Sequence, residues 1–184
     1  MPLVTLIGYR GTGKSTVARL LAERLAAPWV DADAVLEERL GCTITSFVGD
    51  RGEAAFRDAE AEVLASLLAT FRGVLATGGG VVVRESNRRL LDERGRPIVW
   101  LTAPVATIRR RLAADPSTVD RRPALRGDDA LAEVETVVRE RDPLYQACAD
   151  WAIDTSAWSP DAVAEQLVAW LGGADGAAHR GRPS

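Results

Sequence analysis

Residues 8 to 15 read Gly8-Tyr9-Arg10-Gly11-Thr12-Gly13-Lys14-Ser15, the pattern G-x-x-x-x-G-K-S, and they join two segments of different period. Before them, Leu3-Val4-Thr5-Leu6-Ile7 is the short, nearly unbroken apolar run of a buried strand. After them, Val17, Leu20, Leu21 and Leu25 recur at helical spacing, with Arg19, Glu23 and Arg24 on the other face. A strand, a glycine-rich turn and a helix in that order form a phosphate-binding loop. The glycines let the backbone curl until several N–H groups face one anion, and the helix adds the positive end of its dipole. Lys14 then serves the β- and γ-phosphates of a nucleoside triphosphate, and Ser15 offers its hydroxyl to Mg²⁺. Gly11, Thr12, Gly13, Lys14, Ser15 and Thr16 form the expected nucleotide-binding segment. The motif leaves the acceptor of the phosphoryl group open.

Lys14 is also the only lysine among 23 basic residues. An arginine-for-lysine bias of this strength is what a GC-rich genome produces. It spared one position, where a compact point charge cannot be exchanged for a planar fork. Net charge is −3, with both signs interspersed, so no bulk attraction to nucleic acid or a membrane surface is expected. No apolar run reaches the length of a membrane span, and the start lacks the features of a secretory signal. A cytoplasmic location is the expectation. Cys42 and Cys148 belong to no CxxC pair and are expected to be semi-buried thiols. The single histidine, His179, lies in a glycine-rich tail, which argues against histidine catalysis.

Further strands are expected at Trp29–Asp31, 74–77, 97–101 and 152–154. Helices are expected at about 33–40, 52–70, 85–94, 104–114 and 160–171, the last starting on Pro160. Strands alternating with helices predict an α/β fold of three layers: a five-stranded parallel sheet with helices on both faces. One domain is expected over residues 1–171, and 172–184 read as a disordered tail. Residues 115–129 are charged, carry two prolines and lack apolar period. They read either as a solvated loop or as a mobile lid, about 113–128, that carries arginines.

Asp31-Ala32-Asp33 closes the second strand. In an extended segment residues i and i+2 point the same way, and the carboxyl end of a sheet is where α/β proteins bind ligands. One carboxylate could serve a metal shell and the other an acceptor hydroxyl; a helix N-cap at Asp33 is the plainer alternative. Arg57 and Glu60, three apart on a helix, read either as an oriented guanidinium or as a surface ion pair worth little.

The order of motifs resembles the shikimate kinase family over about residues 3 to 171. The run is Gly8 to Ser15, Asp31-Ala32-Asp33, Gly52-Glu53-x-x-Phe56-Arg57-x-x-Glu60, Thr77-Gly78-Gly79-Gly80, Arg122-Pro123-Ala124-Leu125 and Arg141-Asp142-Pro143-Leu144-Tyr145. That resemblance implies a P-loop kinase fold and transfer of the ATP γ-phosphoryl group to the 3-hydroxyl of shikimate. It implies that Asp31 and Ser15 belong to the Mg²⁺ environment and that Asp33 holds the shikimate hydroxyls. Arg57 and Arg141 would clamp the carboxylate, and Gly78, Gly79 and Gly80 would present backbone N–H groups. Arg122 would close over ATP from the lid, with Arg111 and Pro160 beside the adenine. The catalytic set would be Lys14, Asp33 and Arg122. A monomer is implied, with shikimate and ATP as its small-molecule partners and neither nucleic acid nor membrane.

Chemistry agrees with these assignments. A carboxylate calls for a bidentate donor, which is Arg, and three glycines after a strand allow close backbone approach to a ligand. Ala124 stands where the family often has Leu, Arg121 is an added arginine, and Val48 replaces a frequent aromatic residue. The alternatives are another small-metabolite kinase of this fold, such as a gluconate kinase or a nucleoside monophosphate kinase, and a nucleotide-binding domain without catalysis. The three-glycine turn together with Arg57 and Arg141 is what another kinase leaves unexplained, and the presence of every residue expected to do chemistry argues against a domain without catalysis. The five tryptophans, at 29, 100, 151, 158 and 170, read as core or interface aromatics.

Overall fold

A computed structural model of the chain describes residues 1–114 and 128–173. In chain order the elements are β1 (Val4–Ile7), α1 (Lys14–Arg24), β2 (Trp29–Asp31), α2 (Ala32–Leu40), α3 (Ile44–Thr70) and β3 (Val74–Ala76). Then follow α4 (Glu85–Arg94), β4 (Ile98–Thr102), α5 (Val105–Ala114), α6 (Asp128–Cys148), β5 (Trp151–Asp154) and α7 (Pro160–Gly172). The five strands form one sheet in the order β2-β3-β1-β4-β5, every pair parallel. Parallel neighbours need crossover connections, which the helices supply.

Alternation along the central strand sorts the core into two layers. Val4 and Leu6 pack with Val17 and Leu21 of α1 and Val163 and Leu167 of α7. Ile7 packs on the other side with Phe56 and Leu64 of α3, Leu91 of α4 and Tyr145 of α6. The expected three-layer α/β architecture is therefore present. β1 leads into α1 on one face, and its neighbour β3 leads toward α4 on the other. A crevice opens where the connections of adjacent strands part to opposite faces. The loop after β1 and the turn after β3 meet there.

Three local outcomes differ from expectation. α2 begins at Ala32 and its N-cap is Asp31, not Asp33: the Asp31 side chain accepts a hydrogen bond from the Asp33 N–H at 2.9 Å. Asp33 is thus in a first helical turn, and the i, i+2 rule for extended backbone does not apply to it. α3 starts at Ile44, where Thr43 caps Ser46 at 3.2 Å, and it breaks at Gly52 (φ 83°, ψ 166°) before continuing. α6 runs through Arg141–Tyr145 with Pro143 inside it, although proline removes a helical donor.

Trp100 stacks on Tyr145 (centroids 5.9 Å apart) and Trp151 on Trp170 (5.2 Å), whereas Trp29 and Trp158 are exposed. Cys148 is buried, Cys42 half-buried, and both are free thiols. Among the described residues no helix is long and apolar enough to cross a membrane.

Candidate active site

The phosphate loop has the shape its glycines require. Gly11 (φ 78°) and Gly13 (φ 92°) lie in the left-handed region, which costs glycine almost nothing. Gly13 is the N-cap of α1 and makes no side-chain cap, so the first N–H groups of the helix remain turned to the cleft. Thr12 is buried beneath the loop and donates to the Tyr9 carbonyl at 2.7 Å. The Lys14 ammonium donates to the same carbonyl at 3.0 Å. Ser15 and Thr16 open the helix on its exposed side, and the Ser15 hydroxyl donates to the Asp31 carboxylate.

Opposite the loop stands the turn after β3. Gly78 packs against two acids: a Cβ there would lie 2.5 Å from Asp33 Oδ1 and 3.0 Å from Glu60 Oε1. At Gly80 a Cβ would drive into the Arg57 guanidinium. Arg57 and Glu60 are both buried and bonded at 2.8 Å, so the surface-pair alternative is set aside. The other guanidinium nitrogen of Arg57 pairs with exposed Glu53 at 2.6 Å. Gly79 is fastened from α6, its carbonyl accepting from Arg141 at 3.0 Å and from the Tyr145 hydroxyl. Arg141 and Tyr145 are one helical turn apart, which brings both to the same face.

These pieces line one cleft of about 580 Å³, with Lys14, Asp31, Asp33, Gly80, Arg111 and Arg141 around it. Burial lowers the Lys14 pKa, and Asp33 and Asp31 partly offset that by their negative charge. Burial also works against the Arg57 cation, but Glu60 and Glu53 outweigh it and its pKa rises. Tyr145 is pushed up by burial despite the neighbouring Arg141 charge, so it stays an O–H donor.

Arg111 reaches across to the nucleotide end. It donates to the Gly11 carbonyl at 3.2 Å, to Thr155 Oγ1 at 2.8 Å and to the Thr155 carbonyl at 2.7 Å, tying the phosphate loop to the loop after β5. Pro160 is the exposed first residue of α7, behind the Ser159 cap. Arg122 and nearly all of the expected lid lie outside the described residues, as does the tail from 174 onward.

Glu53, Thr155 and the Tyr145 hydroxyl were given no role from sequence. Helical spacing from Arg57 and Arg141 marks Glu53 and Tyr145, but only packing shows which neighbours the spacing brings into contact.

The family model described as shikimate kinase matches residues 10–172. A shikimate kinase of Rhodopirellula baltica is 41% identical over 163 residues, 89% of this chain and 87% of that protein. One from Thermobifida fusca is 40% identical over 167 residues, 91% of this chain and 93% of that protein. The solved structure of a shikimate kinase from Acinetobacter baumannii in complex with shikimate superposes with a TM-score of 0.84 at 33% identity, covering 91% of each chain. A gluconokinase from Sinorhizobium meliloti covers 91% of this chain and 90% of its own, at a TM-score of 0.54 and 17% identity; that likeness is of fold alone.

Proposed function

This chain belongs to the shikimate kinase family, and from that premise we propose that it transfers the γ-phosphoryl group of ATP to the 3-hydroxyl of shikimate, giving shikimate 3-phosphate and ADP. The observation that carries this reading is a single cleft with two ends. The phosphate-loop Lys14 stands at one end, and a glycine turn with Arg57 behind it and Arg141 beside it stands at the other. The first is built for a polyphosphate and the second for a small carboxylate.

Each residue has a task in this reading. The backbone N–H groups of Gly11, Thr12, Gly13 and Lys14 cradle phosphate oxygens, and the Lys14 ammonium leaves the Tyr9 carbonyl to neutralise them. Thr16 completes the nucleotide site at the start of α1. Arg57 and Arg141 grip the shikimate carboxylate, and Gly78, Gly79 and Gly80 admit it to the backbone. Asp33 holds the 3-hydroxyl and takes its proton as the oxygen attacks phosphorus. Arg111 and Pro160 flank the adenine, and Arg122 neutralises charge from a lid over about 113–128, within a domain of residues 1–171. Excluding water there matters because water is a competing acceptor.

A kinase acting on ATP uses a metal ion, and Mg²⁺ fits this donor set. The Ser15 hydroxyl and the Asp31 carboxylate meet in the lining of the cleft, and paired oxygens of this kind suit a hard cation bound together with phosphate. When bound, it would neutralise charge on the phosphate oxygens. The protein is read as a cytoplasmic monomer without a nucleic-acid or membrane partner.

The direct test is ADP release with ATP and Mg²⁺ in the presence of shikimate, gluconate, quinate, a nucleoside monophosphate or no acceptor. Release with shikimate alone is expected. Release with another acceptor, or independent of any acceptor, would overturn the reading.

A further inference from the structure

Among the described residues, five basic side chains belong to this site, and four are already engaged with the protein. Lys14 donates to the Tyr9 carbonyl, Arg111 to Gly11 and Thr155, and Arg141 to Gly79. Arg57 is held by Glu53 and Glu60. Arg10 lines the same cleft, yet among the described residues it has no hydrogen-bond acceptor and no carboxylate; its guanidinium rests over the Tyr9 ring, 5.8 Å from the centroid. A cation–π contact of this kind is weak and leaves the donors of the fork free. A half-buried guanidinium in a ligand cleft, with no acceptor among the described residues, is the feature that the proposed mechanism leaves unused.

Its position narrows the ligand. Arg10 belongs to the phosphate loop, but on the side that faces the acceptor turn. A Cβ on Gly79 would lie 3.2 Å from the Arg10 backbone nitrogen, so loop and turn abut there. Arg141 lies over the same Tyr9 ring, at 5.9 Å. Arg10 therefore stands at the seam between the nucleotide end and the acceptor end. The carboxylate already has Arg57 and Arg141. What crosses the seam is the phosphoryl group.

We propose that Arg10 is a further catalytic residue, one that binds the transferring phosphoryl group on the acceptor side and holds it as the phosphate monoester of the product. This rests on the shikimate kinase reading. In the step, the bond from the shikimate 3-oxygen to phosphorus forms and the bond from phosphorus to the β,γ-bridging oxygen breaks. The hydroxyl proton passes to Asp33, and ADP leaves with the electron pair. Arg10 forms no covalent bond; its N–H groups donate to the oxygens of the migrating group, whose charge they follow from ATP to product.

The test compares Arg10→Gln and Arg10→Lys with the wild type, using the full chain with ADP and Mg²⁺. Calorimetry reads the affinity for shikimate and for shikimate 3-phosphate separately. One charge-assisted contact predicts that Arg10→Gln weakens the phosphorylated product by about tenfold or more. Shikimate itself should hold within about twofold. Arg10→Lys should restore part of the difference, and kcat should fall in Arg10→Gln with both KM values little changed. Equal weakening of shikimate and its phosphate would overturn the proposal in favour of a carboxylate contact, and no change in either would overturn it outright. Loss of ADP binding would also overturn it, because the damage would then be to the phosphate loop. Since the comparison reads binding, it stands apart from turnover; a wild type that fails to phosphorylate shikimate would instead remove the functional reading.

Discussion

Lys14 carries a conflict between stability and function. Its ammonium is buried, and burial is the main cause of its lowered pKa, ahead of the opposing charges of Asp33 and Asp31. Lys14→Met should therefore lower turnover by about a thousandfold or more while leaving the ligand-free melting temperature unchanged or raised. Kinetics and calorimetry on one preparation check both. The linkage follows the same sign: between the depressed native value and the ordinary 10.5 the unfolded chain holds the proton more tightly, so stability rises with pH in that window. The methionine variant should lose that rise. Gly80 is the complementary case. Its hydrogen occupies space that a methyl group would take from the Arg57 guanidinium. Gly80→Ala should fold, displace Arg57 and raise the KM for shikimate by about tenfold, with the KM for ATP nearly unmoved. Equal changes in both would show damage to the whole cleft instead.

At the scale of elements, the break in α3 at Gly52 sits one residue before Glu53 and five before Arg57. Its φ of 83° and ψ of 166° fall in a region that is nearly closed to side chains, although a Cβ there would meet no neighbour. Gly52→Ala should therefore cost about 1–3 kcal/mol through backbone strain alone, read as a shifted urea midpoint at constant slope. Beyond the break, Glu53 occupies a nitrogen of Arg57 that the proposed reading gives to the substrate carboxylate. The pair is exposed on the Glu53 side, so its strength is modest. Glu53→Gln should lower the KM for shikimate by up to about fivefold; a raised KM would show instead that Glu53 aligns Arg57. Most strands and helices were legible in the sequence because their apolar periods differ. The first turns of α3 were not: the helix was expected only from Gly52, where the backbone breaks. α6 was hidden by Pro143. Both aspartates line the cleft, but the cap made by Asp31, not strand geometry, sets where Asp33 stands.

The whole molecule divides the work along β1 and β3, whose connections part to opposite faces and leave the cleft between them. In the proposed reading both ligands touch elements from both layers, so their binding should couple to global unfolding. At a hundredfold excess over Kd, one ligand adds about 2.7 kcal/mol, or about 5–10 °C in Tm for a domain of this size. Shikimate alone, and a non-hydrolysable ATP analogue alone, should each raise Tm in scanning calorimetry. Shikimate should fail to do so in Arg57→Ala, while the analogue still succeeds. The glycine turn and Arg141 were recognisable as chain motifs. Their closure around Gly79, through Tyr145, became visible only when α6 was seen packed on β4.

The solitary lysine has a last consequence, for chemistry done on the protein from outside. Lys14 is the only side-chain amine in the sequence, and burial lowers its pKa, which favours the nucleophilic amine relative to an exposed lysine. An amine-selective acylating reagent thus has one side chain to find, and that one lies buried in the phosphate loop, bonded to the Tyr9 carbonyl. Mass spectrometry should show one ATP-protectable label per functional molecule, with its loss tracking activity. The reagent would count competent sites in a preparation, a stoichiometric assay that a chain with surface lysines does not offer.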